Sequence, residues 1–294
     1  MKPQVIALGL SGLVGSRISE LLSDKYDFIS LTQESGIDIS RPDSLTVVKK
    51  YEEASYVLHL AAKTDVDGCE EDKKLGEQSD AWRINVWGTA NVSEICRETG
   101  KKIIYISTDF VFDGKKKEGQ SYTEEDIPNP QNFYALTKYE GEKAVEKSGA
   151  DYVILRIAYP YRAKFAIRKD FARSIKERLE NNQPVKTVAN HIFCPTFIDD
   201  LAGVIDKAIE NDLSGIYHAV GASSISPLDA CNLIADVFDL NRSLISKTTR
   251  EEFFKDRAFR PFNLSLSNGK IEKLGVIMRP FKEGLSEIRK QLNS

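Results

Sequence analysis

The chain has 294 residues, 41% of them hydrophobic and 29% charged, with a formal net charge of −3. That length suits one large α/β domain or two unequal lobes around a sizeable core, with the balance of an ordinary globular protein. The charge gives no basic field for nucleic acid or an anionic membrane. No run approaches the roughly 18 apolar residues of a membrane span, and the apolar start turns to glycine too soon for a signal peptide. A cytoplasmic protein is therefore expected. Four scattered cysteines (Cys69, Cys96, Cys194 and Cys231) form no CxxC and read as buried free thiols. His59, His191 and His218 lie in or beside apolar stretches without metal-ligand spacing, so they read as structural and no metal is expected.

The elements alternate from the start. "QVIALG" (4–9) reads as a strand and "VGSRISELLSDK" (14–25) as a helix; "DFISLT" (27–32) is a second strand and "RPDSLTVVKKYEE" (41–53) a second helix. "SYVLHLAA" (55–62) precedes "DAWRINVWGTANVSEICRETG" (80–100), and "KKIIYIST" (101–108) precedes "NFYALTKYEGEKA" (132–144). "DYVILRIAY" (151–159) is a fifth strand. Nearly continuous apolar strands alternating with helices predict βαβ units and a Rossmann-type, doubly wound parallel sheet buried on both faces. After Tyr161 the rhythm changes: 169–182 and 196–211 read as helices, "GIYHAVG" (215–221) as one more strand, and helices with short irregular pieces follow from Ser223. "DGKKKEGQ" (113–120) reads as a charged turn. The expected division is a dinucleotide-binding domain over 1–160 plus about 194–220. A smaller substrate-binding lobe would comprise about 161–193 and 221–294.

Three sequence features carry chemistry. Gly9, Gly12 and Gly15 form GxxGxxG between the first strand and the first helix. Glycines there permit a tight turn and let backbone N–H groups approach a pyrophosphate at the helix N-terminus. The acid that reads a ribose is expected about 20 residues on. Counting from Gly12 reaches Thr32, with no carboxylate. A missing acid removes repulsion against a 2′-phosphate, and Arg17 stands just after the glycines to meet one. The cofactor expected is NADP, with NAD as the alternative. Tyr134 and Lys138, four apart on one helical face, have Cβ atoms roughly 5–6 Å apart. Alone, such a pair is most often an ordinary surface pair. A cation about 4 Å from the phenol, at an effective dielectric near 20, would contribute about 4 kcal/mol, enough to lower its pKa by roughly 3.

The whole set resembles the extended short-chain dehydrogenase/reductase family, and within it the dTDP-4-dehydrorhamnose reductases. The resemblance rests on "GLSGLVG" (9–15), "DIS" (38–40), "AAKTDVDGCEED" (61–72), "YISTDFVFDG" (105–114), "NPQNFYALTKYEGEKA" (129–144), "LRIAYPY" (155–161), "FCPTFIDDLA" (193–202) and "RPFNLSL" (260–266). It implies that Thr108 bonds the substrate carbonyl and Tyr134 donates the proton. Lys138 would hold the nicotinamide ribose and lower the tyrosine pKa. Gly9, Gly12, Leu13, Val14 and Gly15 would cradle the pyrophosphate, and Asp38 and Ile39 would flank the adenine. Ala61, Ala62 and Lys63 would line the cofactor, supported by Asn85. Asp109 and Tyr159 would touch the substrate.

Phe110 stands where these reductases usually carry tyrosine, and Tyr159 where they usually carry tryptophan. The implied activity is NAD(P)H-dependent reduction of a nucleotide-activated 4-keto-sugar. Partners would be that substrate and a second copy in a homodimer, with no nucleic acid and no membrane. Two alternatives stay open: a non-catalytic NADP-binding subunit similar to the methionine adenosyltransferase beta subunit, and a sugar-nucleotide epimerase or dehydratase.

Overall fold

The computed structural model describes residues 1–293. The strands are β1 (Gln4–Leu8), β2 (Asp27–Leu31), β3 (Tyr56–His59), β4 (Lys102–Thr108), β5 (Tyr152–Ile157), β6 (Val185–Val188), β7 (Gly215–His218) and β8 (Ile245–Thr248). Around the main sheet stand the helices α1 (Leu13–Leu22), α2 (Pro42–Leu45), α3 (Val66–Asp72), α4 (Asp80–Trp82), α5 (Thr89–Thr99) and α6 (Phe133–Lys147). Then come α7 (Phe171–Glu180), α8 (Ile198–Glu210), α9 (Pro227–Val237), α10 (Arg250–Phe253), α11 (Gly269–Glu272) and α12 (Phe281–Asn293).

Six strands form one parallel sheet in the order β2-β1-β3-β4-β5-β7. Its strands carry apolar side chains to both faces, so both need cover. On one face Ile18 and Leu22 of α1 and Leu201, Val204 and Ile205 of α8 pack over Val5, Leu58 and Leu155. On the other, Val92, Ile95 and Cys96 of α5 and Val145 of α6 pack over Ile6, Val57 and Ile103. The doubly wound α/β reading of the sequence therefore holds. The chain runs outward from β1 to β2, then crosses back so that β3 lies on the other side of β1. That reversal opens a crevice at the carboxyl ends of β1 and β3, where open α/β sheets bind ligands.

Three details differ from the sequence reading. The helix expected over 41–53 is α-helical only at Pro42–Leu45 and continues as a tighter 3-10 turn through Lys50. Thr46, Val47 and Val48 are a β-branched run that loses side-chain freedom in an α-helix. The helix expected over 80–100 is interrupted by a π-helical turn, Arg83–Gly88. The pairing of β6 with β8 in a second, two-stranded sheet was not expected. Both strands have four residues with polar and exposed positions, too short to show an apolar period. Beside them, α7, α9 and α12 enclose an aromatic core built on Tyr161, Phe193, Phe197 and Phe281.

Candidate active site

The glycine loop sets one end of the site. Gly9 has φ 85°, and a Cβ there would stand 2.8 Å from the Ala61 backbone nitrogen. A Cβ on Gly15 would fall 2.6 Å from Leu10 Cα. Both positions thus require glycine, the first for its left-handed turn and contact with the chain after β3, the second for the turn packed under α1. Gly12 is the N-cap of α1 and brings no side chain to it, so the first-turn N–H groups remain directed at the crevice, at the positive end of the helix.

Asn85 sets the floor. The buried Asn85 side chain accepts from the Lys63 backbone N–H at 2.8 Å, and its amide donates to the Lys63 carbonyl at 3.0 Å and to Thr137 Oγ1 at 2.9 Å. One side chain therefore ties the loop after β3 to the helix that carries Tyr134. The π-helical turn coincides with Asn85, as such turns do at functional sites.

The third component comes from β4 and α6. Asn132 caps α6 by accepting from the Ala135 N–H at 2.8 Å, and Glu70 accepts from the Phe133 N–H at 2.7 Å. These contacts fix where the helix begins, and with it Tyr134 in its first turn. Thr108 ends β4. Its Oγ1 lies 3.0 Å from Asp109 Oδ1, accepts from the Phe110 N–H at 3.3 Å, and adjoins the Tyr134 hydroxyl. Lys138 Nζ donates to the Ile106 carbonyl at 2.9 Å and stands 4.1 Å from the Tyr105 ring centre.

A cleft of about 620 Å³ joins these parts. It runs from Gly9, Gly12, Leu13, Val14 and Gly15 past Ala62 to Thr108, Asp109, Tyr134, Lys138 and Tyr159. Eleven of the residues given a site role from the sequence thus share one cavity, and Phe110 lines it with them. Six others do not line it. Ala61, Lys63 and Asn85 support its wall from behind, and the Lys63 ammonium pairs with Asp72 at 2.7 Å. The Asp38 carboxylate accepts from the Ser40 N–H at 2.9 Å and hydroxyl at 2.7 Å, and Ile39 packs on Gly88.

Arg17 is elsewhere. Its guanidinium makes a two-point pair with Asp199 of α8, at 2.7 and 2.6 Å, and bonds Glu20 at 3.0 Å. The sequence placed Arg17 correctly after the glycines, but one turn further along α1 its side chain points toward α8.

Burial governs the titration of the group. It pushes the Lys138 ammonium down to about 7 and the Asp109 carboxyl up to about 7. It also raises Tyr134, against the lowering contact with Thr108. The phenol is therefore not lowered by Lys138 as the spacing suggested: both groups are out of water, and the ammonium is turned to the Ile106 carbonyl. Tyr159 also divides its role. It has φ 42°, its ring forms part of the cleft, and its hydroxyl lies 3.3 Å from His191 Nε2 inside the protein.

The sequence reading assigned nothing to Ser107, Phe165, Arg168 or Arg260, which also line the cleft. Ser107 and Arg260 stand in stretches already marked, "YISTDFVFDG" and "RPFNLSL", so a signal was present. The segment holding Phe165 and Arg168 has no regular structure and gave none. Arg260 is held at the mouth by Asp67, which bonds Arg260 at 2.9 Å, Arg257 Nε at 2.8 Å and the Ala258 N–H at 3.1 Å.

Comparison with known proteins places this architecture. The family described as RmlD substrate binding domain matches residues 1–294. The spore coat polysaccharide biosynthesis protein SpsK of Bacillus subtilis is 27% identical over 292 residues, 99% of this chain and 98% of the relative. Methionine adenosyltransferase 2 subunit beta of Mus musculus is 30% identical over 238 residues, 79% of this chain and 68% of the relative. Among solved structures, dTDP-4-dehydrorhamnose reductase from Bacillus anthracis in complex with NADP superposes with a TM-score of 0.89 at 29% identity, over 99% of this chain and 100% of that one.

Proposed function

The chain belongs to the RmlD substrate binding domain family, and from that premise we propose that it reduces the carbonyl of a nucleotide-activated 4-keto-sugar with NADPH, NADH being the alternative donor. The observation that carries this reading is the convergence of Thr108, Tyr134 and Lys138 in one cleft continuous with the glycine loop.

The residues fit a dinucleotide. The turn at Gly9 and the uncapped N-terminus of α1 offer N–H donors and positive potential to a pyrophosphate, with no side chain in the way. Leu13, Val14 and Gly15 supply those donors, Ala62 lines the path, and Ala61, Lys63 and Asn85 hold that wall in register. Asp38 and Ile39 lie beyond the cleft, toward the adenine end. When bound, the nicotinamide supplies hydride to the carbonyl carbon.

At the other end Thr108 donates to the carbonyl oxygen and polarises it. Tyr134 stands beside Thr108 and delivers the proton to the same oxygen. Lys138, reaching under Tyr105 from the next turn of α6, orients the ribose. Asp109 and the Tyr159 ring form the sugar wall. Phe110, 6.0 Å from Tyr134 between ring centres, presents an apolar edge to the sugar. Arg260 and Arg168 place two cations in the cleft lining, suited to the diphosphate of a sugar nucleotide.

A panel of dTDP-, UDP- and GDP-linked 4-keto-sugars, offered with NADPH and with NADH and followed by loss of the reduced nicotinamide absorbance, tests the reading. Cofactor-dependent reduction of at least one sugar is expected. Tight NADPH binding without turnover of any sugar would contradict it and favour a cofactor-binding subunit.

A further inference from the structure

The hydrogen bonds around Thr108 do not close if Asp109 is an ordinary carboxylate. A hydroxyl has one proton and two lone pairs. One lone pair of Thr108 Oγ1 already accepts from the Phe110 N–H. Asp109 Oδ1 stands 3.0 Å away and, if ionised, would take the single hydroxyl proton. Thr108 would then have nothing to donate to a carbonyl.

The surroundings of Asp109 argue against ionisation. Its side chain is 1% exposed, and Oδ2 has no hydrogen-bond partner. The titratable groups facing it are Tyr134 of α6, Tyr159 after β5 and Cys194, and burial raises the pKa of each, keeping them neutral. Of the cations sharing the cleft, Lys138 is turned to the Ile106 carbonyl and Arg260 to Asp67 and the Ala258 carbonyl; Arg168 lines it further along. The backbone N–H groups of Asp109 and Phe110 favour the ionised form, but burial outweighs them, and an unpartnered oxygen costs far more on a buried carboxylate than on a neutral carboxyl.

We propose that Asp109 works as a neutral carboxyl that donates to Thr108 Oγ1 and so leaves the Thr108 proton for the substrate carbonyl. Asp109 is then a positioning residue for Thr108, and it transfers no proton itself. This rests on the carbonyl-reduction reading above for its kinetic consequence, but not for the protonation state. The neutral form prevails below about pH 7 and is lost as pH rises through that value, because burial raises the carboxyl pKa.

The experiment has two arms. Infrared difference spectra of wild type minus Asp109→Asn, taken below and above pH 7, report the carbonyl stretch of a protonated carboxyl at this one position. Subtraction removes Asp200 and Glu146, whose carboxyls burial also raises, Asp200 to about 6. The expected result is a band present at low pH that disappears as pH rises. Its absence throughout would overturn the proposal whatever the substrate is. In the second arm, Asp109→Leu lowers kcat by about 100-fold, the scale of one misdirected transition-state donor. Asp109→Asn, whose amide N–H can donate to Thr108, restores at least about tenfold of that loss, with the improvement in kcat and not in KM. Equal inactivity of the two variants would also overturn the proposal. If wild type reduces no keto-sugar, the functional reading fails while the infrared arm still decides the state of Asp109.

Discussion

Arg17 shows how far one residue can be read from sequence. Its place after GxxGxxG suggested a 2′-phosphate contact. In the fold its guanidinium is engaged by Asp199 and Glu20, with Gln291 at 3.4 Å. Arg17→Ala is therefore expected to leave the ratio of NADPH to NADH affinities unchanged while lowering the melting temperature. Loss of a phosphate contact worth about 1.4 kcal/mol would instead move that ratio about tenfold. Titration of both cofactors against wild type and variant separates the two. Tyr159 makes the same point: the sequence puts an aromatic at the end of β5, but only the fold reveals that its hydroxyl meets His191, 32 positions away. Thr108, Tyr134 and Lys138 were legible because β4 ends at the first and α6 fixes the other two four apart. Periodicity brings Tyr134 and Lys138 together, and the place of Thr108 beside them came from the family resemblance. Partners supplied by remote elements leave no mark in the local sequence.

At the scale of elements, α6 must be held rigidly, since its first turns carry Tyr134 and Lys138. Glu142, one turn beyond Lys138, makes a two-point pair with Arg156 of β5, at 2.9 and 2.7 Å, with both residues 1% exposed. His218 of β7 lies 3.4 Å from the same guanidinium, and Phe112 stands 5.1 Å from it. Removing one member of such a pair leaves an uncompensated charge in the core, so Glu142→Gln is expected to destabilise the fold by about 3 kcal/mol. Denaturant unfolding checks this, and a loss near zero would mean that Arg156 finds another partner. The apolar core strands and amphipathic helices were readable from their periods. This buried pair was not, because "YEGEKA" looks like a charged helical face in water and "VILRIA" like a strand with one charge facing water. Likewise β6 and β8 pair only after the chain has run through residues 189–244.

Across the whole molecule, the cleft lies where three contributions meet: the switch point of the sheet, the Tyr134 helix, and the C-terminal segment around Arg260. Asp67, in α3 after the central strand β3, fastens that segment through Arg257, Ala258 and Arg260. The two ends of the cleft are thus assembled from distant stretches of one chain. The central claim is that this cleft performs a carbonyl reduction in which Tyr134 gives the proton. The most direct measurement is single-turnover oxidation of NADPH by wild type and Tyr134→Phe on the sugar nucleotide that wild type reduces best, alongside NADPH titration of both. The account predicts a fall in rate of about 100-fold or more, the range of a positioned general acid, with NADPH affinity retained. A Tyr134→Phe variant that turns over at the wild-type rate would contradict it.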